Sequence, residues 1–124
     1  VAVLNLNNMR DEASDRKSGK NTIVVQMGGE KAKKYHYFLI ITAMVVFVVF
    51  ALLNNFNIDQ YLFLLAYYPL VKHLDTVKKN TNPKELDPEL KKVALSTFLL
   101  SVLFSLCMIY FFSDVIVNTF MGGR

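Results

Sequence analysis

The chain has 124 residues, 53% of them hydrophobic, a formal net charge of +4 and a single cysteine. One cysteine excludes a disulfide framework and any CxxC metal or redox site. No zinc-finger spacing or aromatic–basic motif directs the positive charge toward nucleic acid. The apolar residues run together instead of dispersing as a soluble core requires, which makes the chain an all-α integral membrane helical bundle.

Taken in order, residues 1–34 read as the end of a membrane helix followed by a charged loop. "VAVLNL" resembles the last turns of a hydrophobic helix, so the chain is expected to be the C-terminal part of a longer membrane protein, with an N-terminal half preceding it. The next stretch, "NNMRDEASDRKSGKNT", is dense in both signs of charge. On a continuing helix Asn7, Asp11 and Asp15 share one face, because residues four apart are neighbours. Two carboxylates and an amide offer hard oxygen ligands of the kind Mg²⁺ takes beside phosphate oxygens. Arg10, Arg16, Lys17 and Lys20 supply cationic donors for those phosphates. Gly19 lets the chain leave the helix and turn. An ordinary solvated helix with charge pairs four apart accounts for the spacing equally well. "TIVVQ" reads as extended, broken by Gly28–Gly29.

Residues 35–53, "YHYFLIITAMVVFVVFALL", carry no Asp, Glu, Lys or Arg. As a helix they extend about 28 Å, close to the roughly 30 Å hydrocarbon core of a bilayer. Residues 54–60 form an external loop. Residues 61–74 are a shorter transmembrane candidate in which Pro69 predicts a kink. Residues 75–92 form a loop with a short helix, Asp87 its N-cap and Pro88 its first position. Residues 93–116 make the last transmembrane helix, and 117–124 an external tail. Thirteen of the 14 Lys and Arg fall before residue 35 or between 72 and 92, and none lies in 54–60. The positive-inside rule then places both basic segments in the cytoplasm and requires the middle segment to cross, giving three spans. Anionic headgroups at that face are a ready partner for the basic residues.

The remaining residues read as structural. His36 and His73 lie at span edges, as amphipathic residues do at an interface. Thr97, Ser101 and Ser105 form a small-residue stripe that predicts close helix contact. Asp59 and Asp114 fall near outer ends and are expected to be hydrated, Cys107 is an apolar filler, and Tyr67 and Tyr68 are expected to serve in helix packing.

"NNMRDEASDRKSGKNTIVVQMG" resembles the second aspartate-rich motif of the UbiA superfamily of membrane prenyltransferases. It is most similar to the naphthoate branch of menaquinone synthesis, whose pattern runs NN-x-RD-xxx-D-xx-(A/S)GK-x-T. Asn7, Asn8, Arg10, Asp11, Asp15, Ser18, Gly19, Lys20 and Thr22 match it, and Glu12 departs from it. "NTNPKELDPELKKVALSTFL" resembles the link into the family's last helix. The resemblance implies a bundle of about nine spans in the cell (inner) membrane, with the aspartate-rich loop cytoplasmic. It also implies Mg²⁺-dependent transfer of a polyprenyl group from its diphosphate to an aromatic acceptor, 1,4-dihydroxy-2-naphthoate. On this carry-over Asp11 and Asp15 bind Mg²⁺ with help from Asn7 or Asn8, while Arg10, Lys17 and Lys20 hold the diphosphate. With one of two aspartate-rich segments present, this stretch alone is expected to be inactive. The alternatives are a relative acting on another aromatic acceptor, and a non-catalytic three-span subunit binding anionic lipid or a partner.

Overall fold

The computed structural model describes residues 1–121, and the last three residues of the expected external tail lie outside it. Five α-helices and two 3₁₀ segments account for nearly all of it, with no strand among the described residues. The first helix, α1 (Ala2–Lys17), carries the charged cluster without a break. A Schellman motif ends it, with Gly19 Nα donating to Arg16 O and Lys20 Nα to Asp15 O (2.9 Å). This closure needs the left-handed region, which Gly19 occupies at φ +72°. A short α2 (Ile23–Met27) follows, capped by Thr22, whose Oγ1 accepts from Val25 Nα. The expectation of an extended "TIVVQ" is therefore corrected. The cap and the left-handed Gly28 (φ +80°) outweigh the strand preference of two adjacent valines.

The long helices α3 (Gly29–Leu53) and α5 (Asp87–Met121) are each long and apolar enough to cross a membrane. Only 17% of the apolar window of α3 and 22% of that containing α5 is buried within the chain. Faces built from Phe38, Val45, Val46, Phe98, Leu95 and Ile109 stand bare. Such surface is tolerated against lipid and not against water, so the chain is a membrane protein. Both helices run past the charge-free stretches that marked them in sequence. Hydropathy marks where a helix meets lipid, whereas the helix continues through "GEKAKK" and "DPELKK" because their backbone bonds close internally.

The middle segment is composite. Nine residues of 3₁₀ helix (Ile58–Ala66) lead into α4 (Tyr67–Lys79), and among the described residues only α3 and α5 are helices that qualify as spans by length and composition. Pro69 falls in the first turn of α4, and the change of helix type lies just before it. The segment nonetheless touches α5 at both ends. Gln60 Nε2 donates to Asp114 Oδ2 (2.8 Å), and His73 Nδ1 meets Glu89 Oε2 (2.8 Å). Those partners are 25 positions apart on α5, about 37 Å along a helix axis. Asp114, expected to be hydrated, is thus half-buried and bonded by Gln60 and Asn57.

Between these ends the antiparallel run α3, middle segment, α5 is filled by aromatics. Phe63 is fully buried, and Phe47 and Phe104 meet edge-on with ring centroids 4.5 Å apart. Tyr67 packs against α3 and donates its hydroxyl to Met44 O. Cys107 is buried among apolar residues, as its composition suggested. Two other expectations change. The last helix is preceded by a 3₁₀ turn (Pro83–Leu86), and the capping residue is Asn82, whose side chain accepts from Lys84 Nα. Asp87 is already helical (φ −56°, ψ −48°), leaving its carboxylate free for another partner. Ser101 and Ser105 face outward and bond back to carbonyls of their own helix, so the close contact expected of them is not made within the described residues, whereas Thr97 is half-buried and lines a groove with Ala2 of α1 and Ala43 of α3.

Candidate diphosphate and metal site

The charged cluster of α1 sorts itself into two groups along the helix. In the first, Arg10 is the hub. Its Nε and Nη2 fork onto both oxygens of Asp11 (2.9 and 2.8 Å), Nη2 also donates to Asn7 Oδ1 (3.0 Å), and Nη1 reaches Asp87 Oδ1 on α5 (2.6 Å). The guanidinium holds the Asp11 carboxyl below the usual carboxylate range, and Arg10 in turn is raised by Asp11 first and Asp87 second. In the second group, Asp15 is buried and its Oδ1 accepts from Lys20 Nζ (3.1 Å). The Schellman turn makes this pair, because it folds the chain back so that Lys20 stands over the end of α1.

Helix geometry explains the division. Each four-residue step advances about 40°, so Asp15 lies about 80° around the helix from Asn7 and turns toward the core. Asn7, Asp11 and Arg10 remain half-exposed, and Arg10 and Asp11 stand on the rim of a groove of about 520 Å³ that Asn82, Pro83, Lys84 and Asp87 complete. Asn8 is half-buried, and Lys17 is exposed and makes no ion pair among the described residues. The departure at Glu12 has a local reason. Its carboxylate pairs with Arg16 (3.0 Å), and Oε2 lies 3.0 Å from where a Cβ on Gly29 would stand, so it packs the α1–α3 junction.

The donor set suits a divalent cation in kind, although the helix turns Asp15 away from Asn7 and Asp11. Asp11, Asp15 and the amides of Asn7 and Asn8 are hard oxygen donors, and Mg²⁺ takes one or two protein carboxylates with phosphate and water. Among the described residues no three His, Cys, Asp or Glu side chains converge on one point, so these residues cannot enclose a cation by themselves. Arg10 engages three of the candidate oxygens, and it is also the side chain suited to bidentate phosphate recognition.

Gly19 offers a test of the turn. A Cβ there meets nothing within 4 Å, so Gly19→Ala is expected to cost only the left-handed backbone, roughly 1 kcal/mol. Thermal unfolding of the full-length protein in detergent should show that loss, with Gly19→Asn recovering much of it. An unchanged melting temperature for Gly19→Ala would mean the turn is unimportant.

Four further residues escaped the reading of the sequence. His36 and His73 are fully buried, not interfacial, and their Nε2 atoms are 2.8 Å apart. Beyond His73 lies buried Glu89, which Lys92 also contacts (2.6 Å). Beyond His36 lies Asn5 of α1, with Nδ2 3.5 Å from His36 Nδ1 and 3.2 Å from Ala32 O. The available signal was chemical: ionisable side chains within or beside apolar helices are costly and face one another.

Two curated relatives match the chain. The 1,4-dihydroxy-2-naphthoate octaprenyltransferase of Haemophilus influenzae is 40% identical over 105 residues, and that of Escherichia coli is 39% identical over 106. The matches take in 85% and 86% of this chain but 34% of either relative, so the chain spans about a third of their length. No protein-family profile and no solved structure matches it.

Proposed function

The chain is a relative of the 1,4-dihydroxy-2-naphthoate octaprenyltransferases, and from that premise we propose that it forms part of an Mg²⁺-dependent membrane prenyltransferase of menaquinone synthesis. The enzyme moves a polyprenyl group from its diphosphate to 1,4-dihydroxy-2-naphthoate. One observation carries the reading at the level of the site: Arg10 joins Asn7, Asp11 and Asp87 at the rim of α1, a fork-shaped cation among oxygen donors.

In this reading Asp11 and Asp15 hold Mg²⁺, helped by Asn7 or Asn8, and the ion supplies Lewis-acid stabilisation of the departing diphosphate. Arg10 and Lys20 bind the diphosphate oxygens, with exposed Lys17 within the same charged turn. Asp87 keeps Arg10 aimed at the rim, and Gly19 folds the chain back so that Lys20 stands over Asp15. A second aspartate-rich segment, from the N-terminal half of the protein, completes the clamp, and the bundle has about nine spans.

The topology follows from the charges and the packing. The whole composite segment Ile58–Lys79, 9 residues of 3₁₀ and 13 of α-helix, is about 37 Å long, enough to cross the roughly 30 Å core of a bilayer, and this supports its crossing as the second of three spans. The basic residues of the α1–α3 link and of the α4–α5 link then lie together in the cytoplasm, at the inner face of the cell membrane.

The test uses the full-length protein in membranes, supplied with a polyprenyl diphosphate and 1,4-dihydroxy-2-naphthoate. Mass spectrometry should find the prenylated, decarboxylated product with Mg²⁺ and lose it with a chelator. Product formation undiminished by the chelator removes the metal from the reading. Transfer only to another aromatic acceptor corrects the substrate, and no transfer at all overturns the enzyme.

A further inference from the structure

The buried row Asn5–His36–His73–Glu89 crosses four helices, and donor–acceptor logic places the ring hydrogens of its two imidazoles. Glu89 Oε1 is paired with Lys92 (2.6 Å), so the carboxylate is ionised and only accepts. His73 Nδ1 must then carry the hydrogen directed at Glu89 Oε2. A neutral His73 leaves Nε2 bare, so His36 supplies the one hydrogen between the two Nε2 atoms. His36 Nδ1 is then bare in turn and accepts from Asn5 Nδ2. The Asn5 amide cannot reverse, because Nδ2 also faces Ala32 O and Met9 Sδ, both acceptors.

We propose that Asn5, His36, His73 and Glu89 are positioning residues that hold the aspartate-rich helix α1 in register against α3, α4 and α5, and that they do so only while both imidazoles are neutral. The proposal deepens the prenyltransferase reading and rests on it for the importance of α1. An added proton on His73 puts a second hydrogen on the Nε2 side. His36 must then accept at Nε2 and carry its own hydrogen on Nδ1, where it opposes the donor of Asn5. Wherever the proton enters, the bond that yields is Asn5 Nδ2 to His36 Nδ1, which leaves Asn5 with Ala32 O as its remaining partner on α3. The charged or titratable groups facing the pair are Glu89 and Lys92 from α5 and each imidazole for the other, and α1 presents only the uncharged Asn5. Asn5 lies six residues before Asp11 on one helix, so weakening its hold on α3 loosens the helix that carries the site. Among the described residues the ion pair linking α1 to α5 is Arg10–Asp87, whose Asp87 side chain is 70% exposed.

The test places spin labels at Ser14→Cys and Lys34→Cys, both exposed, in the full-length protein with Cys107→Ser and no other cysteine. The α1–α3 distance distribution should be narrow at neutral pH and widen on acidification to about pH 4.5. In His36→Gln and His73→Gln it should no longer respond to pH. Asn5→Asp supplies an acceptor for a protonated His36 and should move the midpoint by about one pH unit or more. In the unlabelled enzyme kcat/KM should fall about tenfold across the same range, and the Gln variants should lose that dependence. A wild-type distance unaffected by pH overturns the proposal, as does a response that persists in both Gln variants. A response with its midpoint unmoved in Asn5→Asp overturns the order of bonds. A distance response in a protein without prenyl transfer would keep the positioning row and remove the enzymatic reading.

Discussion

Replacing Asp11 or Asp15 by Asn in the full-length protein is expected to lower Mg²⁺-dependent prenyl transfer by about a hundredfold or more, with normal membrane insertion. Asn keeps the shape and one acceptor oxygen of each side chain but removes the charge that, under the proposed function, holds Mg²⁺. The two variants should differ in their side effects. Asp11→Asn leaves Arg10 its bonds to Asn7 and Asp87, so α1 should stay folded. Asp15→Asn also gives up the pairing with Lys20, whose side chain is 68% exposed, and a pair of that kind is worth at most about 1 kcal/mol. Initial rates at saturating Mg²⁺ and helix content by circular dichroism separate chemistry from folding. Wild-type rates in both variants would remove these carboxylates from the site.

The largest loss of stability is expected at Glu89. Its side chain is 3% exposed and is shared by His73 and Lys92. Glu89→Ala leaves the His73 N–H directed at a void and strips Lys92 of its partner, for a cost of about 3 kcal/mol. Glu89→Gln retains an oxygen for His73 Nδ1 and should cost roughly 1 kcal/mol. Lys92→Ala should lie between them, because Lys92 is 64% exposed and water replaces part of what it gives, yet the carboxylate it leaves is buried. Thermal unfolding in detergent reads all three. Equal melting temperatures for wild type and Glu89→Ala would show that the buried row contributes nothing to the packing of α4 on α5.

What the sequence by itself determined was local or compositional. Charge-free runs of about 20 residues marked α3 and α5, because a bilayer demands that length of apolar helix. The spacing of Asn7, Asp11 and Asp15 placed them along one helix, and Gly19 was legible as its stop because only glycine takes the left-handed turn without strain. Propensity misjudged "TIVVQ", where Thr22 and Gly28 punctuate a helix, and the cap at Asp87, where Pro83 starts a 3₁₀ turn one step earlier. Only the tertiary structure decided which residues stand at one depth. His36 and His73 are 37 positions apart and Arg10 and Asp87 are 77 apart, and each pair meets because the chain returns antiparallel through the middle segment. Helical periodicity tells which face a side chain occupies and carries no information on its height beside a neighbouring helix. That height is set by how far the 3₁₀ segment, with its longer rise per residue, carries α4 back along α3 and α5.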